Sequence, residues 1–287
     1  MMTNSFIGAH ITKEKTLLDT IKKIKDNGGN ALQLFASNPR SVALPNIEKY
    51  KKDSPSIIKY CEDNKCKLII HSPYTINLAK DMKNGDRTLD IKDCYWINLL
   101  IEELKISDLI NSIGVVVHVG KYTTQTYEDG LQNMKDGIKY IVAHLKKNNI
   151  KSKFILETPA GQGTELLTDL NEFVKFYNSF TTDEKKHMGI CLDTCHVYSA
   201  GYELSDAYNI IYSKNAKDVI AIHLNSSMKG LNSRVDKHAP ILEGKIPVKD
   251  IENFLKLIKT NKQTPLIILE KVSNNLNKDI EFVKNIV

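Results

Sequence analysis

Eight short runs of β-branched and apolar residues recur along the 287-residue chain, and each is followed by a longer stretch with helical spacing. The runs are Ser5–His10, Ala31–Phe35, Lys67–His71, Val115–His118, Phe154–Glu157, Met188–Asp193, Val219–His223 and Leu266–Glu270. The stretches that follow them are Ile11–Asn27, Ile47–Asn64, Leu89–Ser112, Tyr127–Asn148, Leu167–Tyr177, Ser205–Asn215 and Val248–Thr260, with Asp279–Val287 closing the chain. Leu17, Ile21 and Ile24 mark the apolar stripe of the first, and Gly28-Gly29 stops it. Eight alternating units of this kind predict an α/β fold, a (β/α)8 TIM barrel. A doubly wound open sheet is the structural alternative, but no Gly-x-Gly-x-x-Gly or phosphate-loop motif supports it. No linker, low-complexity segment or short repeat divides the chain, so residues 1–287 are expected to form one barrel domain.

The polar residues fall in a pattern that such a barrel would turn into a site. Seven of the runs end in a residue able to bind a metal: His10, His71, His118, Glu157, Asp193, His223 and Glu270. Each follows apolar residues, as in Val115-Val116-Val117-His118. All strand ends of a barrel open on one rim, where active sites sit. One histidine there could be a satisfied core residue. Seven ionisable groups converging on one rim are costly to bury unless cations compensate them.

Two further pairs point the same way. Asp193-Thr194-Cys195-His196 leads from the sixth strand into its loop, and Asp236 and His238 stand two apart in Arg234-Val235-Asp236-Lys237-His238. An extended segment puts such a pair on one side. Histidine and carboxylate ligands suit Zn²⁺ or Mn²⁺. So many of them exceed one tetrahedral ion and match two or three, the equipment for displacement at phosphorus. Cys191 and Cys195 flank Asp193 and read as an inward filler and a loop residue.

Composition narrows the partners. A chain 41% hydrophobic and 26% charged is neither disordered nor fibrous. No apolar run approaches the roughly 20 residues of a membrane span, and Met1–Lys15 lacks the order of a signal peptide. Five scattered cysteines are no disulfide scaffold, so a soluble intracellular setting is expected. The net charge of +6 is compatible with a polyanionic partner. Only Arg40, Arg87 and Arg234 are arginines among forty basic residues, and a lysine cannot replace their bidentate fork at a phosphate.

The motifs Ile7-Gly8-Ala9-His10, His71-Ser72-Pro73-Tyr74, Glu157-Thr158-Pro159-Ala160-Gly161-Gln162-Gly163, Cys191-Leu192-Asp193-Thr194-Cys195-His196, His223-Leu224-Asn225-Ser226, Ser233-Arg234-Val235-Asp236-Lys237-His238 and Ile268-Leu269-Glu270 follow one another in order. Over essentially its whole length the sequence resembles the endonuclease IV family of apurinic/apyrimidinic endonucleases. The resemblance implies a trinuclear zinc centre, with Mn²⁺ as an alternative ion at one site. His71, His118 and Glu157 would hold the first ion. Glu157, Asp193, His223 and Glu270 would hold the second, with Glu157 bridging. His196, Asp236 and His238 would hold the third.

The implied activity is hydrolysis of double-stranded DNA 5′ to an abasic site, by in-line attack of a metal-activated water, giving a 3′-hydroxyl and a 5′-deoxyribose phosphate. Removal of 3′-blocking groups is implied with it. Glu157 and Glu270 would be the catalytic carboxylates, and Arg40, Tyr74, Asn225 and Arg234 would meet DNA. Lys121 and Lys229 are candidates to follow the backbone. No organic cofactor and no membrane are expected, and the chain is expected to act as a monomer. Departures from the family pattern are Val119, Pro159, Ser226, Lys271 and Thr75, the last where a bulkier apolar residue often stands. Two rivals remain: a metal-dependent sugar isomerase or epimerase on the same barrel, which has no use for the Asp236–His238 pair, and a non-catalytic abasic-DNA binder, which has no need of a complete ligand set.

Overall fold

The computed structural model describes residues 5–261 and 264–287. Eight parallel strands close into a barrel in chain order: β1 (Ile7–His10), β2 (Ala31–Leu34), β3 (Lys67–His71), β4 (Gly114–His118), β5 (Lys153–Glu157), β6 (Met188–Asp193), β7 (Val219–His223) and β8 (Leu266–Leu269). The expected (β/α)8 barrel is thus the observed fold. Strand ends differ from those expected by a residue or two, and Glu270 lies just past β8.

The helices are α1 (Leu17–Asp26), α2 (Ile47–Asp63), α3 (Tyr95–Leu109), α4 (Tyr127–Lys147), α5 (Leu170–Asn178), α6 (Thr194–Ser199), α7 (Leu204–Asn215), α8 (Val248–Thr260) and α9 (Leu276–Lys284), with a single turn at Thr182–Lys185. Helix α1 starts six residues later than apolar spacing predicts. The Thr16 side chain accepts the Asp19 amide and fixes the first turn there, while Leu17, Ile21 and Ile24 are buried as the stripe requires. Asp169 likewise caps α5 by accepting the Asn171 and Glu172 amides, and Leu167, at φ 58°, lies outside it. Helix α6 was not expected. Its six residues carry no apolar period, and it forms because Asp193 accepts the His196 amide at 2.8 Å. Cys195 is therefore a buried helix residue and not a loop residue.

Two apolar layers hold the barrel. Strands pack outward on the helices through large side chains such as Phe154, Phe173, Phe254 and Trp96, all fully buried. Each contributes about 1.5–3 kcal/mol by leaving water. Inside the barrel, Ala31, Ile69, Val116, Ile155, Cys191, Ala221 and Ile268 form a separate cluster. Side chains alternate faces along a strand, so the residue two further on from each also points inward. Those residues are Gln33, His71, His118, Glu157, Asp193, His223 and Glu270. The apolar interior is thereby topped by a polar layer, to which β1 contributes His10. Gly8, two residues before His10, has Ala31 as its pairing partner, and a Cβ there would stand 1.6 Å from the Ala31 carbonyl oxygen. A larger residue would force β1 and β2 apart.

The connection after β7 folds back over the rim. Ser226–Ser227 pairs antiparallel with His238–Ala239, Ser227 opposite His238, which returns Asp236 and His238 to the strand ends.

Candidate metal centre

All nine ligand candidates meet at the carboxyl-terminal end of the barrel. Donor atoms of His71, His118 and Glu157 lie within 4.8 Å of one another, as do those of Glu157, Asp193, His223 and Glu270, and those of His196, Asp236 and His238. Glu157 sits at the centre. Its Oε2 faces His118 Nε2 at 3.1 Å and His71 Nε2 at 3.5 Å, while its Oε1 faces His223 Nδ1 at 2.6 Å. One carboxylate thus turns its two oxygens toward two different histidine groups, the geometry of a bridge. Asp193 stands between the second and third groups, with Oδ2 3.7 Å from His223 Nδ1 and 3.5 Å from His238 Nε2. Asp236 Oδ1 closes the third, 3.3 Å from His196 Nε2 and 3.2 Å from His238 Nε2.

The residues around the ligands fix their orientation. The His71 Nδ1 donates to the Ser72 carbonyl at 2.8 Å, and the His196 Nδ1 donates to the Thr158 carbonyl at 2.9 Å. A carbonyl only accepts, so both rings turn Nε2 toward the centre as the nitrogen that can bind an ion. Thr158 also accepts the Asp193 amide through its hydroxyl at 3.0 Å. Among the buried side-chain atoms without a hydrogen-bond partner are Glu157 Oε2, His196 Nε2 and His238 Nε2. Each of these three belongs to a ligand set. Buried polar atoms left unpaired cost free energy, and divalent ions satisfy such atoms, so the residues fit the metals that their types imply.

Charge tells the same story. Burial resists ionisation of Glu157, yet His223 and His118 hold its carboxyl well below the usual range. Glu270 is held at about 2 against its burial by His223 and His238. Burial pulls His238 down, but Asp193 and Asp236 outweigh it and hold the imidazole at about 9. Without ions, protons on His196, His223 and His238 balance the carboxylates. Burial pushes the Cys191 and Cys195 thiols up to about 12, so both stay protonated. Cys191 lines the barrel interior, as an inward filler should.

An open cavity of about 660 Å³ covers the ligands, lined among others by His10, Lys13, Phe35, Tyr74, Asp236 and His238. His10 stays out of the ligand sets. Burial lowers it to about 4, and its ring packs on Phe35 with centroids 4.6 Å apart. On the rim, Arg40 and Arg234 are exposed and Tyr74 is 62% exposed. The two loops bearing Arg40 and Tyr74 are joined: the Tyr74 amide donates to the Pro39 carbonyl at 2.9 Å, and the Thr75 hydroxyl donates to the Ser41 carbonyl at 2.9 Å. Thr75 is therefore a tie between loops and not a projecting wedge. Arg234, at φ 55°, packs on Gly161, whose missing Cβ would meet its Nη1 at 2.7 Å. Lys229 is exposed, whereas the Lys121 ammonium lies 3.4 Å from Glu165.

Asn225 lies elsewhere than expected. It is fully buried, donates to Asp193 Oδ2 at 2.9 Å and Glu270 Oε2 at 3.1 Å, and accepts the Glu270 and Lys271 amides. Its place is beneath the ligands, not on the exposed rim. Sequence reasoning missed Gln33 altogether. This buried amide touches Glu270, His223 and His10. The two-residue alternation Ala31–Gln33 was its signal, hidden because the apolar run continues past it to Phe35.

A closed parallel barrel with three carboxylate–histidine ligand sets on its carboxyl-terminal rim defines a class, the barrels built to hold divalent ions over their strand ends. The Xylose isomerase-like TIM barrel family matches residues 21–286. The probable endonuclease 4 of Halothermothrix orenii is 32% identical, over 96% of this chain and 97% of its own. The chain belongs to the endonuclease IV family. Among solved structures, endonuclease IV from Thermus thermophilus has a TM-score of 0.73 at 22% identity, covering 98% of this chain and 97% of that one. A D-tagatose 3-epimerase-like protein also has a TM-score of 0.73, at 18% identity over 98% and 96%. These two likenesses concern the fold alone, which nucleases and epimerases share.

Proposed function

We propose that this chain is a zinc-dependent endonuclease that hydrolyses the phosphodiester 5′ to an abasic site in double-stranded DNA, leaving a 3′-hydroxyl and a 5′-deoxyribose phosphate. Removal of 3′-blocking phosphates and phosphoglycolates belongs to the same reading. The observation that carries it is the third ligand set, His196, Asp236 and His238, beside two sets that share Glu157. Family membership and the names of the relatives support it. Three zinc ions per chain are the count the ligands suit, with Mn²⁺ as an alternative at one site.

Bound ions supply Lewis acidity, lower the pKa of water and neutralise charge developing on phosphate. The chain's own residues do the rest. Glu157, 1% exposed, anchors the centre, and its oxygens hold two ligand groups in register. Glu270, 13% exposed, reaches the cavity and is the carboxylate placed to orient the attacking water. Tyr74 and the Arg40 loop, tied together, present a rigid aromatic and a cationic group to the duplex. Arg234 offers a guanidinium to a backbone phosphate. An abasic nucleotide has no base to unstack and leaves the helix at little cost. The chain needs no organic cofactor and acts as a monomer.

The epimerase reading draws on the shared barrel but leaves Asp236 and His238 without a task. The test is incision of a labelled duplex carrying one tetrahydrofuran abasic analogue, which cannot undergo β-elimination. A single cut 5′ to the analogue, leaving a 3′-hydroxyl, is the expected result. A metal-loaded protein that leaves the duplex intact but turns over a ketose would overturn the proposal.

A further inference from the structure

We infer that Gln33 is a positioning residue that fixes which nitrogen His223 presents and which way the Glu270 carboxylate faces. This inference rests on the proposed metal centre and deepens it.

The argument starts from the polar layer. Seven of the eight strands place an ionisable residue there, and β2 places an amide. Gln33 is fully buried and cannot reach DNA. Its Nε2 donates to Glu270 Oε1 at 2.6 Å and lies 3.2 Å from His10 Nδ1. Its Oε1 lies 2.7 Å from His223 Nε2. The amide has one way round: a carboxylate only accepts, so the nitrogen must face Glu270 and the oxygen must face His223. The oxygen then requires a proton on His223 Nε2. That leaves the Nδ1 lone pair facing Glu157 Oε1 at 2.6 Å and Glu270 Oε2 at 3.3 Å. Against two carboxylates that nitrogen needs positive charge beside it, a proton in the ion-free chain and a metal ion, bound through the lone pair, in the loaded one. His71 and His196 present Nε2 because backbone carbonyls hold their Nδ1. His223 presents the opposite nitrogen, and the one side chain that determines this comes from a strand with no ligand of its own.

The Glu270 carboxylate is held from both sides. Gln33 donates to Oε1 and Asn225 donates to Oε2. Each oxygen keeps a second lone pair, so the clamp sets direction without consuming the ligand. Supporting residues of this kind typically cost about 10–100-fold in metal affinity or activity when removed.

The experiment uses the full chain loaded with zinc. A long-range ¹H–¹⁵N spectrum of the histidine rings reads the tautomer in the unmodified protein; His223 should carry its proton on Nε2. Gln33→Leu should then lose one zinc about 10–100-fold more readily to a competing chelator and retain the ion of the His196, Asp236 and His238 set. Its kcat on the abasic duplex should fall with KM unchanged, because Gln33 touches no DNA. A His223 proton on Nδ1 overturns the inference without any variant, which covers the case of a substitution that fails to fold. Gln33→Leu retaining zinc and kcat at wild-type level overturns it as well, and leaves the metal centre standing. An unmodified chain that binds no zinc overturns both.

Discussion

Each ligand contributes through a specific atom, and the atoms explain why the site is partly readable from sequence. Strand ends His71, His118, Glu157, Asp193 and His223 follow apolar runs, so side-chain alternation alone sends them to one rim. Asp236 and His238 are readable as an extended pair two residues apart. Gln33 is not, because an amide is no metal ligand and its role depends on the partner atoms that closure of the barrel brings to it. The resemblance implies a DNA contact for Asn225; the fold turns its amide under Asp193 and Glu270. The reactive roles can be separated at single residues. Glu270→Gln keeps the shape and removes the charge proposed to orient water. Incision should drop by at least about 10²-fold, while a gel-shift with the abasic duplex shows binding retained. Normal cleavage by that variant would remove Glu270 from the mechanism.

Elements matter where they carry residues to the rim. Spacing locates eight strands and most helices, but caps set the boundaries. Thr16 delays α1 and Asp193 starts α6, and a cap is legible only when the strand before it is known to have ended. Helix α3 carries an element-scale prediction. Glu103 is fully buried, and no well-formed hydrogen bond reaches either oxygen, although the Ser37 hydroxyl lies near. Burial pushes its carboxyl up to about 7 from the ordinary 4.5, against the pull of Ser37 and His71. A folded-state value above the unfolded one means that the protonated form stabilises the fold, fully below about 4.5, and that this contribution is lost as pH rises through about 7. Glu103→Gln should therefore match the parent in thermal melts at pH 4.5 and exceed it at pH 8. An equal shift at both pH values would show that packing, not charge, governs the site.

At the scale of the whole molecule, a barrel that gathers ligand candidates from the ends of six strands, from helix α6 and from the connection after β7 makes its candidate metal centre a product of folding. Ions that bind only the folded chain stabilise it by mass action. No helix among the described residues is long and apolar enough to cross a membrane. The imidazoles bear on pH. Asp193 and Asp236 hold His238 at about 9 against burial, and His196 and His223 also stand well above the ordinary histidine value. Ions must displace those protons, so zinc affinity measured by chelator competition should fall as pH drops from 9 to 6, with protons released on loading. A flat profile would mean that the imidazoles are unprotonated in the ion-free chain. The central claim is that three ligand sets act together as a hydrolytic centre. The direct measurement strips the protein of metal, titrates zinc back, and follows zinc content and incision of the tetrahydrofuran duplex together. The account predicts no cutting in the stripped protein and full incision only as the third equivalent binds. Incision that survives stripping, or an intact duplex at three bound zinc ions, would contradict it.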